Sequence, residues 1–226
     1  MENIKQLNHK SPPLIIMAIA FTIQFIAGLS FVISFSPKIP HFPAPWETAE
    51  IITAYFRGYP HAVQMCAFFQ FIAAVPLGLY VVSVVSRLLF HGVKTTGPYI
   101  ALLGGLIATA NIFLSSLILW VMAYPDIAQD ASIIRVLYYL TYAIGGVGYS
   151  LPLGIFFAGV SITALFTKLL PKWLVYWGLA LALCGLLSSL SLLSMKLLFF
   201  IPLTRFIGFI WLIIVGFKLT SKQIIE

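Results

Sequence analysis

Apolar residues dominate this chain in long unbroken runs, and short polar segments separate them. Crossing about 30 Å of hydrocarbon takes about 20 apolar residues in helical form. Six stretches meet that length: residues 14–35, 62–86, 98–123, 138–166, 173–194 and 199–217. The fourth is overlong, with a surface turn expected to lead into it near Ile127. The sixth is interrupted by Arg205. The pattern predicts an all-α integral membrane protein, a single transmembrane domain of six helices.

One segment breaks the rule. "FPAPWETAEIITAYFRGYPH" (residues 42–61) is proline-led and acidic, yet it lies between two apolar runs. Pro45 suits the first turn of a helix, and Glu47 and Glu50 suit its positive N-terminal end. At helical spacing Glu47, Glu50, Ala54 and Arg57 share one face, and Ile52, Tyr55, Phe56 and Tyr59 share another. Residues 44–59 are therefore predicted to form an amphipathic helix that lies on the bilayer or caps the bundle.

Composition supports the membrane reading. Of 226 residues, 61% are hydrophobic and 8% charged, whereas soluble domains carry about 25% charged residues. The net charge of +7 does not point to nucleic acid, because the basic residues sit at the ends of apolar runs. Their distribution sets a direction. With both termini inside, Lys5, Lys10, Arg87, Lys94, Lys168, Lys172, Lys218 and Lys222 are internal, against Lys38, Arg57, Arg135, Lys196 and Arg205 outside. Glu47, Glu50, Asp126 and Asp130 then all fall outside. They make an outer cluster in which Arg205 is expected to find a carboxylate.

The spans carry a sign of duplication. "VPLGLY" from Val75 is matched by "LPLGIF" from Leu151, and "GLIATANIFLSSLILW" from Gly105 by "GLALALCGLLSSLSLL" from Gly178. The two longer windows agree at seven positions, and the pairs are offset by 76 and 73 residues. Spans two and three therefore read as a hairpin repeated in parallel as spans four and five. Pro76 and Pro152 each leave a carbonyl four residues earlier, Ile72 or Gly148, without its helical donor. Small residues line one face of five spans, including Ala20 and Ala27, Ala74 and Gly78, Gly104 and Ala108, Gly145 and Gly148, and Gly178 and Gly185. Such faces allow close helix packing. Gln24, Gln70 and Asn111 are the amides within those faces. With Pro76 and Pro152 they are the candidates for lining a pocket or for bonding helix to helix.

Other chemistry is sparse. His61 and His91 bracket one span at opposite ends, so they cannot share a haem. His41 and His61 are outside and read as unpaired loop residues rather than metal ligands. Cys66 and Cys184 sit in apolar runs as small hydrophobes. No phosphate loop, GxSxG or HExxH occurs. No cofactor or metal is expected, and a membrane enzyme or haem protein is disfavoured. Two readings remain: a bundle that binds or passes a small apolar or amphipathic ligand, and an accessory subunit packed against a membrane partner protein. Lipids are the expected surroundings of either, and the oligomeric state is open.

The run P-x-P-W-E-T-A-E-I-I-T-A-Y-F (residues 43–56), followed by PLG in the next span and Arg87 at its inner end, resembles a family of bacterial membrane proteins of about this length, a domain of unknown function. The resemblance implies six helices, an extracytoplasmic segment of the form P-x-x-P then A-x-x-I-x-x-Y, and the bacterial cytoplasmic membrane. It brings no catalytic residues. A reporter fused after Glu226 is expected to be active only on the cytoplasmic side; activity outside would overturn the orientation and the even number of spans.

Overall fold

A computed structural model of the protein describes residues 5–33, 40–219 and 222–225. Six helical stretches are long and apolar enough to cross a membrane: Leu14–Val32, Pro60–Phe90, Gly97–Met122, Ala131–Thr167, Lys172–Leu192 and Met195–Lys218. The protein is a multi-pass helical membrane bundle. On the first span Ile16, Ile19, Ile23 and Ile26 are all exposed at helical spacing, which is the surface of a helix that faces lipid.

In chain order the elements are a strand β1 (Lys5–Asn8), α1 (Leu14–Val32), α2 (Ala49–Gly58), α3 (Pro60–Phe90), α4 (Gly97–Met122), α5 (Pro125–Ala128), α6 (Ala131–Gly145) and α7 (Val147–Thr167). α8 (Lys172–Ser188), α9 (Phe200–Pro202), α10 (Gly208–Lys218) and a strand β2 (Lys222–Ile225) complete it. A π-helical turn, Leu203–Ile207, links α9 to α10. The spans predicted at 62–86, 98–123 and 173–194 fall on α3, α4 and α8. The predicted end of the first span at Phe35, and Lys38 beyond it, lie outside the described residues.

The all-α bundle predicted from the sequence is the fold found. The short strands β1 and β2 pair antiparallel beside it, which puts residues 5–8 and 222–225 on one face of the bundle. Two expectations need correction. The outer helix does not span 44–59: it starts at Ala49, where Thr48 accepts from the Ile51 amide at 3.4 Å. Pro45 and Glu47 belong to a strap before it, and Glu50 alone is acidic in its first turn. The fourth span is not one helix from 138. It begins at Ala131, where Asp130 accepts from the Ser132 and Ile133 amides, and it breaks at Gly146.

Glycine sets how closely the helices pack. α4 crosses α7 where a Cβ on Gly104 would lie 2.5 Å from the Pro152 carbonyl oxygen. α7 crosses α8 at Gly154 and Gly185, where a Cβ on Gly185 would lie 2.7 Å from the Gly154 Cα. The proposed repeat has a counterpart in these contacts. Gly78 faces Thr109 across the first hairpin, and Gly154 faces Ala182 across the second. These partners are related by the offsets of 76 and 73 residues that relate the sequences.

Two hydrophobic clusters fill the bundle. The larger surrounds Trp211, whose ring packs on Phe157 and whose Nε1 donates to the Leu174 carbonyl at 2.9 Å. The smaller gathers Ile52, Tyr55 and Phe56 of α2 with Val63, Leu119, Ile134 and Tyr138. The apolar face of α2 is thus buried in protein, so α2 caps the bundle and does not float on the bilayer. At the opposite end Arg87 donates to the Leu219 carbonyl at 2.8 Å, the Ser11 hydroxyl at 3.1 Å and the Pro12 carbonyl at 3.3 Å. Gly104→Ala should force α4 and α7 apart and cost about 1–3 kcal/mol. A lowered thermal midpoint in detergent would register it, and an unchanged midpoint would show that the crossing can relax.

Candidate functional site

The site begins with a failure of helix geometry. α6 ends at Gly145 and α7 starts at Val147; between them Gly146 adopts φ −87° and ψ −96°. A Cβ on Gly146 would lie 2.4 Å from the Tyr142 carbonyl oxygen, and one on Gly145 would lie 2.9 Å from the Ser115 hydroxyl. At Gly146 fixed backbone leaves no room for a Cβ, and at Gly145 the Ser115 side chain would have to shift. Within hydrocarbon a freed carbonyl must find a donor inside the protein.

Two side chains supply those donors. Arg205, on the π-helical turn, donates from Nη2 to the Gly145 carbonyl. Asn111, on α4, donates from Nδ2 to the Gly148 carbonyl. Gly148 is the residue whose partner Pro152 removes, so one predicted amide answers one predicted orphan. Single π turns inside helices recur at functional sites, and unwound helices line cavities in membrane proteins.

Beside the break lies a cavity of about 180 Å³. Its walls are apolar on the α1 and α4 sides, with Phe25, Leu29, Ile112 and Leu119. Gln70, Ser115, Thr141 and Tyr142 place polar groups around it, and Arg205 and the Gly145–Gly146 break form one end. The strap before α2 covers it. Phe42 lines the cavity and meets the Tyr138 ring at 5.7 Å. Tyr138 donates to the Pro43 carbonyl, and Trp46 meets Tyr142 edge-on at 5.8 Å. Glu47 fixes the strap by accepting from the Ala44 amide at 2.7 Å and from His41 at 3.1 Å. The Ala44 amide first, and His41 second, hold the Glu47 carboxyl below its ordinary range.

Arg205 therefore corrects an expectation. It pairs with none of Glu47, Glu50, Asp126 or Asp130. Among the described residues the one ion pair joins His41 and Glu47, so His41 is not an unpaired loop residue. Glu50 faces outward at the start of α2, where its own amide and then the Thr48 side chain lower its pKa. Asp126 opens α5. Arg57, and not Arg205, ties α2 across, by donating to the Ala128 and Gln129 carbonyls at 2.9 and 2.6 Å.

The guanidinium of Arg205 instead lies over two rings, 5.3 Å from the Phe25 centroid and 5.1 Å from that of Tyr149. Each cation–π contact contributes about 0.5–2 kcal/mol. A charge at the centre of a span costs about 2.5–3.5 kcal/mol on insertion scales. The rings and one carbonyl thus offset the burial without supplying a counter-charge. The buried Nε remains without a partner.

The other predicted pocket residues separate. Gln70 lines the cavity and donates to the Cys66 sulfur at 3.4 Å. Gln24 and Pro76 do not line it, and the Gln24 side-chain oxygen is buried without a partner. Pro152 acts through Gly148 and Asn111, one step from the cavity. The signal missed in the sequence is the pair Gly145-Gly146. No protein-family model, curated protein or solved structure matches this chain.

Asn111→Leu leaves the Gly148 carbonyl without its donor and should cost about 1–3 kcal/mol, read as a lower thermal midpoint. Adding Pro152→Ala should recover part of that loss, because it restores the amide that a helix would direct to Gly148. Additive losses would show that the two residues act separately.

Proposed function

We propose that this protein binds a small amphipathic molecule within the membrane, in the cavity beneath the strap. The observation that carries the reading is the make-up of that cavity: apolar side chains of α1 and α4, with Gln70, Ser115, Thr141, Tyr142 and Arg205 as its polar groups. Ligand sites are commonly built this way, largely apolar with a few placed polar groups. The Gly145–Gly146 break supports it, since irregular backbone at membrane depth is tolerated where it lines a cavity or is buried in protein. The strap adds a cover held by a hydrogen bond from Tyr138 and by ring contacts of Phe42 and Trp46, which a ligand could displace.

The alternative of an accessory subunit calls for a small-residue face left open to a partner. Gly28, Gly104, Gly154, Gly159, Gly178 and Gly185 all meet neighbouring elements of this same chain, which favours a self-contained bundle. On the resemblance and the placement of basic residues, we assign the protein to the bacterial cytoplasmic membrane with both termini inside. The cavity and its strap then face outward.

An eight-carbon amphiphile carrying a diazirine tests the binding. In nanodiscs it is expected to label cavity residues such as Phe42, Tyr142 and Ile201. Thr141→Phe should fill the space and remove that labelling, with lipid-facing Ile16 and Leu103 labelled as before. Labelling confined to the lipid face in the wild type would end the proposal.

A further inference from the structure

The chain contains two arginines enclosed by helices, and they are treated differently. Arg87 has all three of its nitrogens bonded to fixed acceptors, Ser11, Pro12 and Leu219. It is a structural clasp with an acceptor on every nitrogen. Arg205 has five N–H donors, of which one is bonded to the Gly145 carbonyl. Its Nε is buried and unpartnered, and the residue lines the cavity. Arginine keeps its charge under ordinary conditions, so neutralisation is not open to it.

Among the described residues no carboxylate reaches Arg205. The carboxylate that comes nearest to the cavity along the chain, Glu47, is occupied by Ala44 and His41 on the strap. What surrounds the guanidinium is a cation placed against the faces of Phe25 and Tyr149. Those rings hold it beside the cavity that it lines, with its Nε unpartnered. A planar fork of this kind matches a carboxylate or a phosphate with two parallel hydrogen bonds.

We infer that the head group taken into this cavity is an anion, held by Arg205, with its apolar tail against Phe25, Leu29, Ile112 and Leu119. The inference rests on the binding proposed above and specifies the ligand as an anionic amphiphile. Gln70 and Tyr142 are the neutral hydrogen-bonding groups at the same cavity. With no acidic side chain among its lining residues, the site repels no negative charge. A cationic amphiphile would meet the arginine head-on and is excluded. The chemistry is shared by a free carboxylate amphiphile and by the phosphate of an anionic lipid head group.

The test is competition by octanoate and by 1-octanol against the diazirine label on the wild-type protein in phosphatidylcholine nanodiscs. The two competitors share a chain length and differ in head-group charge. Octanoate is expected to compete at least about ten-fold better, a difference of about 1.4 kcal/mol. Arg205→Gln should bring the two to equal strength, and Arg205→Lys should keep part of the preference because it keeps the charge but loses the fork. The wild-type comparison stands even where Arg205→Gln does not fold.

Equal competition by octanol and octanoate would overturn the anionic head group and leave the cavity as a binding site. A preference for octanoate that survives in Arg205→Gln would overturn the role of Arg205. Failure of both competitors to displace a label that never reaches the cavity would remove the binding proposal itself. Phosphatidylglycerol nanodiscs then separate the two sources of the anion. Loss of octanoate competition there assigns the head group to a lipid phosphate, and retained competition assigns it to a free carboxylate.

Discussion

Lipid offers no hydrogen-bond partner, so a carbonyl released from a helix inside the bundle has to be answered by the chain itself. Two carbonyls are released within four residues here, at Gly145 by the break and at Gly148 by Pro152. Their donors come from elements far away in sequence, Asn111 on α4 and Arg205 before α10. That requirement brings α4, α6, α7 and the last span to one place. The glycines that permit the approach, Gly104, Gly145 and Gly146, follow from the same need.

Arg205 shows how a single residue can serve as both strut and site. Its carbonyl bond supports the broken helix, and its ring contacts fix its plane. Both are satisfied with part of its donor capacity. A lysine in the same place would hold its charge at a point and could not brace a carbonyl while presenting a flat edge. Arg87 marks the contrasting case, a guanidinium with each of its nitrogens bonded to a fixed acceptor.

The sequence showed much of this framework in advance, and it did so where physics acts locally. Run length gives the spans, because hydrocarbon thickness is fixed. Pro152 identifies the orphan at Gly148, since a missing amide is a property of one residue. The amphipathic face of α2 is legible from spacing, and Ile52, Tyr55 and Phe56 are buried as that spacing requires. Arg205 was assigned wrongly because charge alone points to a carboxylate. The carbonyl it actually meets became free only through the break. Gly145-Gly146 reads in sequence as one more pair of small packing residues. Its neighbours Ser115 and Ile201 come from other helices, and that proximity is a property of the assembled fold.

The clasp around Arg87 has a bearing on how the bundle is made. Of the six spans α1 comes earliest in the chain, yet it packs against α10, with Gly216 set against Ile15. Arg87 likewise bonds both Pro12 and Leu219, near opposite ends of the chain. Neither contact can exist until the last span has been inserted. The first helix must therefore wait in the membrane with a face uncovered while the rest of the chain is synthesised. Loop closure over so long a separation is slow, which makes the joining of the ends the final event of assembly and leaves the waiting helix the segment most exposed to wrong partners.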